Sequence, residues 1–301
     1  MSSIKNVIVV GANGNIGSIV TQHLLSANFN VSILTRENST STTPPNAQVF
    51  QTDYSEASLA SAFKGQDAVV STVGVLGKPT QTKLIDAAIA SGVKRFIPSD
   101  FAYKSNDMSD IERVIPLVYQ RLTPNKTILD YLEAKAAQHP NFTWTAIGGG
   151  PLFDWTLKTG FLGTSIPNHT STILDSGNES YATVTIPQLA RAVVSTLSAP
   201  EKTANKYLTV TSFSTTQNEI LAAAEKVTGQ KFAVKRVGAQ EWHREGLEQF
   251  GKGDFRGLGK LWGYFFWRDG EGLVKDVGDD NGMLGLPRED LESVIREVAG
   301  L

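Results

Sequence analysis

Residues Ile4–Gly17 read IKNVIVVGANGNIG, an apolar run that ends in a glycine-rich turn. The run Ile4–Val10 is short and rich in β-branched residues, which predicts a buried strand of a parallel sheet. The turn has the form Gly-x-x-Gly-x-x-Gly, and apolar residues at helical spacing follow it. Glycines here permit a tight turn and let a pyrophosphate approach the backbone, where a helix N-terminus offers free N–H groups. The stretch therefore predicts a dinucleotide-binding strand–turn–helix, with a purely structural turn as the alternative.

The same alternation of short apolar runs and helical segments continues to about residue 150. Further strands are predicted at 31–35, 48–52, 68–72, 95–98 and 143–147, with helices at 16–28, 55–63, 80–91 and 127–138. Strands that alternate with helices are typical of a parallel sheet covered on both faces. The sequence thus predicts an α/β fold, a Rossmann-type doubly wound parallel sheet.

The pattern loosens after Gly150, where turns and aromatic residues replace the regular alternation. Strands are predicted at 206–211 and 231–236, and the capping box Thr216-Gln-Asn-Glu219 precedes a helix. We therefore predict two domains. Residues 1–150 form the nucleotide-binding domain, and residues 151–301 form a smaller mixed α/β substrate lobe with segments that return to the core.

Two further segments are open to more than one interpretation. Residues 104–124 form a long stretch that we expect to be a loop lying across a cleft. Residues 258–267 carry a dense group of aromatic side chains. That group fits a partner-binding patch, a lid over the substrate or a buried helix of the second lobe, and we favour the buried helix.

Composition excludes several classes of protein. The chain has 301 residues and no cysteine, so disulfides, thiolate catalysis and iron–sulfur clusters are excluded. Its four histidines lie far apart, which argues against a histidine-rich metal site. A formal net charge of −2 gives no electrostatic case for nucleic acid or a membrane surface as partner. No apolar run reaches the ~18 residues of a membrane span, and no signal peptide is visible, so we expect a cytoplasmic protein.

The end of the second predicted strand indicates which dinucleotide binds. An acidic residue about 20 positions past the glycines would accept from the ribose 2′-hydroxyl of NAD. Here Arg36 lies 19 residues after Gly17, and a guanidinium suits the 2′-phosphate of NADP(H). Glu37 is the next residue, and Arg36 as a solvated surface charge is the alternative. After the third strand, Asp53 and Tyr54 are expected near the adenine, although Asp53 is equally suited to cap the following helix.

The carboxyl ends of two central strands complete the predicted site. Open α/β sheets bind ligands at this edge. The fourth strand ends in Thr72-Val73-Gly74, and the fifth ends in Ser99-Asp100-Phe101. At the first turn, the predicted contacts are Gly11, Asn13, Gly14, Asn15, Ile16 and Gly17. At the two strand ends they are Thr72, Val73, Gly74, Ser99 and Phe101.

These motifs together resemble the NmrA-like or isoflavone reductase-like group of atypical short-chain dehydrogenases. The resemblance is carried by the glycine turn, Leu34-Thr-Arg36, Val70-Ser-Thr-Val-Gly74 and Lys94-Arg-Phe-Ile-Pro-Ser-Asp-Phe101. Gly149-Gly-Pro-Leu-Phe153 and Asn218-Glu-Ile-Leu221 resemble its fungal branch. The resemblance implies NADP(H) binding, and it adds Gly150, Pro151 and Phe153 to the cofactor site. Many members reduce aromatic or phenylpropanoid-type molecules, whereas others sense nucleotide redox state without catalysis.

The resemblance also suggests a catalytic residue. Reductases of the group place a lysine near the start of the helix before the sixth strand, beside the nicotinamide. Lys126 is the candidate here, although alignment on Tyr131-Leu-Glu133 puts Asn125 at the lysine position. A partly desolvated lysine beside the oxidised ring would have a lowered pKa and serve as general acid or base. Tyr131 and Lys135 match Tyr-x-x-x-Lys, but we interpret that match as chance because Lys135 lies only seven residues before Phe142.

The expected ligand besides NADP(H) is a small aromatic or apolar substrate. Four aromatic residues are candidates for an apolar wall of its site, with plain core packing as the alternative: Tyr103, Phe153, Trp155 and Phe161. We therefore predict an NADP(H)-dependent reductase. A redox-sensing protein without catalysis is the second hypothesis, and the oligomeric state, monomer or homodimer, stays open.

Overall fold

The computed structural model describes residues 3–39, 44, 46–74, 77, 80–101, 103, 107–271 and 278–301. Its strands are β1 Asn6–Val10, β2 Asn30–Arg36, β3 Gln48–Thr52, β4 Ala68–Ser71, β5 Arg95–Ile97, β6 Thr143–Gly148, β7 Thr164–Ser165, β8 Thr170–Leu174, β9 Tyr181–Thr183, β10 Lys206–Thr209, β11 Phe213–Thr215 and β12 Ala233–Val237. Its helices are α1 Asn15–Ser26, α2 Glu56–Phe63, α3 Gln81–Ala90, α4 Ser109–Val114, α5 Pro116–Gln138, α6 Phe153–Thr159, α7 Ile186–Ser198, α8 Pro200–Thr203, α9 Gln217–Thr228, α10 Ala239–Gly251, α11 Arg256–Trp267, α12 Asn281–Leu284 and α13 Leu291–Ala299.

The central sheet has seven parallel strands in the order β10-β6-β5-β4-β1-β2-β3. The chain runs outward from β1 to β3 and then returns to place β4 on the other side of β1. The gap between the carboxyl ends of β1 and β4 is therefore the topological switch point, where open α/β sheets bind ligands. The predicted Rossmann-type doubly wound sheet is confirmed.

Strand β1 is apolar from Val7 to Val10 because helices cover both faces of the sheet. Its alternate residues point to opposite faces. Val7 and Val9 pack in a core with α1 and α7, whereas Ile8 and Val10 pack in a core with α2, α3 and α5. Burial on both faces removes the polar alternation that a half-exposed strand would show.

Part of the C-terminal half joins this central sheet. Strand β10 pairs in parallel with β6, and α7 packs against α1. The remaining elements build a third apolar core around α4, α6, α9, α10, α11 and α13. Thr216 and Glu219 form the predicted capping box at the start of α9. The aromatic segment 258–267 lies in α11, where Phe265 and Trp267 are buried, which agrees with the favoured buried helix.

The prediction of a long loop over 104–124 is wrong for most of that segment. Residues 104–106 lie outside the described residues, but α4 follows them and α5 begins at Pro116. Proline is well suited to the first turn of a helix, where its missing N–H has no partner to lose. Pro124 lies inside α5, although an internal proline usually breaks a helix.

None of the helices in the described part of the chain combines the length and the apolarity that crossing a lipid bilayer requires.

Candidate functional site

The glycine turn between β1 and α1 has the geometry of a phosphate cradle. Gly11 has a φ of +83°, and the N–H of Gly14 donates to its carbonyl oxygen at 3.0 Å. Helix α1 begins after Gly14 with no side-chain cap and no acidic residue in its first turn, as far as the described residues show. Residues 13–15 are exposed. The first N–H groups of α1 therefore face open space with a positive dipole end, which suits an anion.

Thr72 supports this turn from the neighbouring strand. Its hydroxyl donates to the Val10 carbonyl at 2.9 Å. A Cβ built on Gly17 would lie 2.2 Å from the Gly11 carbonyl oxygen and 2.6 Å from the Thr72 hydroxyl oxygen. Only glycine fits at position 17, because the backbone of the turn and the end of β4 meet there.

Arg36 lies at the carboxyl end of β2, where its side chain is exposed. It lies near Tyr54: burial raises the pKa of the Tyr54 phenol, and the positive charge of Arg36 partly offsets that effect. Tyr54 has a φ of +62° and is held there by its N–H, which donates to the Thr52 hydroxyl at 2.8 Å. The two side chains thus form one corner of the site, a guanidinium beside a half-buried aromatic ring.

Asp53 organises the start of α2. Its Oδ1 accepts from the Ser55 N–H at 2.9 Å and from the Ser58 hydroxyl at 2.8 Å. These hydrogen bonds lower the pKa of the carboxyl to about 2. The proposed N-cap role of Asp53 is wrong, because Ser55 is the N-cap and α2 begins at Glu56. Its expected contact with the adenine stays a prediction.

The loop after β5 is tied to the loop after β4. The Ser99 hydroxyl donates to the Val73 carbonyl at 2.7 Å, and the Ser99 N–H donates to Gln81 Oε1 at 2.7 Å. Phe101 is buried in the core that β1 shares with α1. Gly74 is exposed, and a Cβ there would meet nothing within 4 Å. The predicted strand-end residues therefore lie in two adjoining loops at one edge of the sheet.

The Lys126 ammonium does not lie at the carboxyl edge of the sheet. Its side chain is 47% exposed and pairs with Asp130 one turn further along α5. That hydrogen bond raises the pKa of the ammonium, so the expected lowering is wrong. Asn125 faces inward instead: it is 1% exposed, and its Nδ2 donates to Asp100 Oδ1 at 2.7 Å. One residue is about 100° of helix rotation, which separates the two side chains.

The segment after β6 lies close to β9. A Cβ on Gly150 would lie 2.7 Å from the Ala182 carbonyl oxygen. The Pro151 carbonyl accepts from the Thr183 hydroxyl at 2.6 Å. Phe153 is 1% exposed and packs edge-on against Phe213. Of the three residues predicted here, Gly150 and Pro151 are half-buried, whereas the Phe153 ring belongs to the core.

Two of the four residues predicted for an aromatic wall are core residues. Phe153 is one, and Tyr103 is the other: its ring packs edge-on against Phe265 and Phe266. Burial raises the pKa of the Tyr103 phenol, which keeps it protonated at neutral pH. Trp155 and Phe161 are half-buried, with ring centroids 5.1 Å apart. This pair retains the partial exposure that a substrate contact requires.

Sequence reasoning assigned no role to Asp100 and Gln81. Both are buried polar residues, 2% and 1% exposed, and both bond the loops at the carboxyl edge. Asp100 lies inside the motif Lys94–Phe101 that carries the family resemblance. Its hydrogen bond with Asn125 could not be predicted, because the helix that contains Asn125 was predicted to begin only at residue 127.

Comparisons with known proteins agree with this geometry. A model of the NmrA-like family matches residues 3–144. The oxidoreductase aprR of Aspergillus flavus is 35% identical over 307 residues, which cover 97% of this chain and 98% of that protein. The oxidoreductase poxI of Penicillium oxalicum is 33% identical over 295 residues, which cover 96% and 92%.

Solved structures share the fold over nearly the whole chain. A crystal structure of isoflavone reductase superposes with a TM-score of 0.77 at 20% identity, covering 98% of this chain and 99% of the other. A structure of AtPrR2 with NADP+ and (+)pinoresinol gives a TM-score of 0.78 at 20% identity, covering 99% and 100%. The turn, the sheet order and the full-length match to the fungal relatives lead to one conclusion: the chain belongs to the NmrA-like family.

Proposed function

We propose that this protein is an NADP(H)-dependent oxidoreductase that reduces a small aromatic or apolar molecule. The observation that carries the proposal is the open, uncapped N-terminus of α1 at the switch point, on the same sheet edge as Arg36. Relatives named oxidoreductases and structural neighbours described with NADP+ support the same cofactor class. The residues present fit the group, because residues 13–15 are exposed and the uncapped first turn of α1 leaves N–H donors for its pyrophosphate.

Each part of the site has a defined task in this proposal. The first N–H groups of α1 bind the pyrophosphate, and the Arg36 guanidinium binds the 2′-phosphate. Tyr54 packs beside the adenine. Ser99 and Phe101 hold the nicotinamide end at the loops after β4 and β5, with Val73 and Gly74 on the neighbouring strand end.

When bound, the cofactor would supply a hydride for an acceptor carbon of the substrate, and water would supply the proton that completes the reduction. The chain's part is to orient the two molecules. Trp155 and Phe161 offer a half-buried aromatic surface for an apolar substrate. Lys126 has no part in this scheme, because its ammonium is paired with Asp130 on the exposed side of α5.

A second candidate function is a sensor of nucleotide redox state that catalyses nothing. The specific observation in its favour is the inward position of Asn125, whose amide cannot donate a proton in general acid catalysis. A sensor would share the cofactor site but would turn over no acceptor.

One pair of assays separates the two functions. NADPH absorbance is followed with a panel of aromatic enones, aldehydes and quinone-like acceptors, and calorimetric titrations compare NADPH with NADP+. The enzyme hypothesis expects NADPH consumption that depends on a particular acceptor. The sensor hypothesis expects no consumption and an affinity difference of about tenfold or more between the two redox forms. Under either hypothesis Arg36→Ala should weaken NADPH binding, and Arg256→Ala, which changes an exposed arginine on α11, is its matched control.

A further inference from the structure

The loop that follows β5 is held by two separate parts of the chain. Ser99 bonds to the Val73 carbonyl in the loop after β4 and to Gln81 at the start of α3. Asp100, the next residue, bonds toward α5 through Asn125. The Asp100 N–H also donates to the Pro98 carbonyl at 2.8 Å, which makes a three-residue turn directly after the strand. The position of this loop is therefore set jointly by a neighbouring strand end and by a helix.

The bond between Asn125 and Asp100 joins two buried polar side chains at 2.7 Å. Burying a carboxyl group or an amide is costly unless hydrogen bonds compensate for the lost water. The other buried residues on this face of α5 are apolar: Ile128, Leu129 and Leu132 follow Asn125 at helical spacing. Asn125 is thus a polar exception on an apolar face, and its amide donates directly to the loop that carries Ser99 and Phe101.

We infer that the hydrogen bond from Asn125 to Asp100 positions the nicotinamide end of the cofactor site. This inference rests on the proposed function. Helix α5 acts through Asp100, which fixes the loop so that Ser99 and Phe101 occupy their places at the carboxyl edge. Neither Asn125 nor Asp100 is required to touch the cofactor, so both are positioning residues.

The location of the pair predicts a local effect. Ser99 and Phe101 lie beyond β5, whereas Arg36 and Tyr54 lie beyond β2 and β3, on the far side of β1 in the sheet. Disturbing the Asp100 loop should weaken contacts to the nicotinamide half and leave contacts to the adenosine half intact. A general loss of folding would instead weaken the contacts to both halves of the cofactor.

The test uses two probes and a reciprocal exchange in the full chain. The probes are NADPH and 2′-phospho-ADP-ribose, which lacks the nicotinamide. The variants are Asn125→Asp, Asp100→Asn and the double exchange Asp100→Asn with Asn125→Asp, which restores a carboxylate–amide pair in reverse order. The control is Tyr131→Phe, which removes a different hydrogen bond of α5, the one that Tyr131 donates to Asp86. Dissociation constants and unfolding temperatures are measured for each protein.

We expect Asn125→Asp, which removes the donor, to weaken NADPH binding by about tenfold or more, and Asp100→Asn, which keeps an acceptor oxygen, to weaken it by less. Binding of 2′-phospho-ADP-ribose should change by less than about twofold in both. The double exchange should recover most of the NADPH affinity, and Tyr131→Phe should leave it unchanged. Equal weakening of both probes, or a lower unfolding temperature with NADPH affinity intact, would overturn the positioning role and leave the proposed function standing. Failure of the unmodified protein to bind either probe would overturn the inference and the proposed function together.

Discussion

Residues 125 and 126 are neighbours in the chain and have opposite surroundings. The Asn125 amide is buried against Asp100, whereas the Lys126 ammonium pairs with Asp130 in water. The helical rotation of about 100° per residue accounts for the difference. The apolar residues Ile128, Leu129 and Leu132 fix which side of α5 faces the sheet. The rotational position of α5 therefore decides that Asn125, and not Lys126, faces the carboxyl edge of the sheet.

The pKa of Lys126 tests this orientation. Its bond to Asp130 raises the pKa of the ammonium above the ordinary 10.5. A base whose pKa is raised by folding contributes stability that is complete below its ordinary pKa and is lost as the pH rises through the raised value. For this surface pair the contribution is about 0.3–0.5 kcal/mol. NMR titration of the isotopically methylated lysines should show Lys126 above its ordinary pKa, and Asp130→Asn should reverse the shift. A value near neutrality would instead indicate a desolvated, catalytic lysine.

At the scale of elements, the glycine turn is the part of the site that the sequence predicted most completely. Spacing and flanking apolar runs located β1, the turn and α1, and the structure differs only by one or two residues at their ends. The signal is strong because each glycine has a local reason. Gly11 needs a positive φ, and Gly17 leaves no room for a side chain.

The turn gives a prediction for two neighbouring glycines. Gly17→Ala places a Cβ 2.2 Å from the Gly11 carbonyl oxygen, a backbone atom that cannot easily move. We expect the free energy of unfolding to fall by about 1–3 kcal/mol from overpacking. Gly14→Ala is the matched comparison, because its Cβ would meet only that same oxygen, at 3.4 Å. It should change stability by less than about 1 kcal/mol. Urea unfolding measures both, and equal losses would contradict the geometry of the turn.

Helix α5 shows where local signals are insufficient. Its last twelve residues were predicted from apolar spacing, but its first half was assigned to a loop. Pro116 and Pro124 both argue locally for irregular structure, and the segment carries few apolar residues on one stripe. The helix forms there because Val118 and Ile115 pack into the third apolar core, a tertiary contact that no local pattern shows. Because residue 125 lay outside the predicted helix, its pairing with Asp100 was not predicted either.

At the scale of the whole molecule, β10 and Arg95 connect the two halves of the chain. Arg95 is 0% exposed and donates to the hydroxyls of Thr143, Thr145 and Thr203 and to the Pro200 carbonyl. It thereby joins β5 and β6 to α8, which leads into β10. Burial lowers the pKa of its guanidinium to about 10. The alternation of elements predicted the sheet, but the place of β10 depends on a contact more than 100 residues apart in sequence.

Replacing Arg95 tests this connection. In Arg95→Met the three threonine hydroxyls keep carbonyl partners, whereas the half-buried Pro200 carbonyl loses its donor. We expect the free energy of unfolding to fall by about 1–3 kcal/mol. Arg256→Met, at an exposed arginine, should stay within about 0.5 kcal/mol of the unmodified protein. An Arg95→Met protein of unchanged or greater stability would mean that the cost of burying the cation exceeds the value of its hydrogen bonds.

The central claim is that the edge formed by the glycine turn and Arg36 binds NADP(H), and calorimetric titration tests it most directly. NADPH and NADH are titrated into the unmodified protein and into Arg36→Ala. A charge-assisted bond to the 2′-phosphate is worth about 1.5–3 kcal/mol, so Arg36→Ala should weaken NADPH binding by about tenfold or more and hardly affect NADH. Absence of dinucleotide binding by the unmodified protein, or NADPH affinity that is indifferent to Arg36→Ala, would contradict the account.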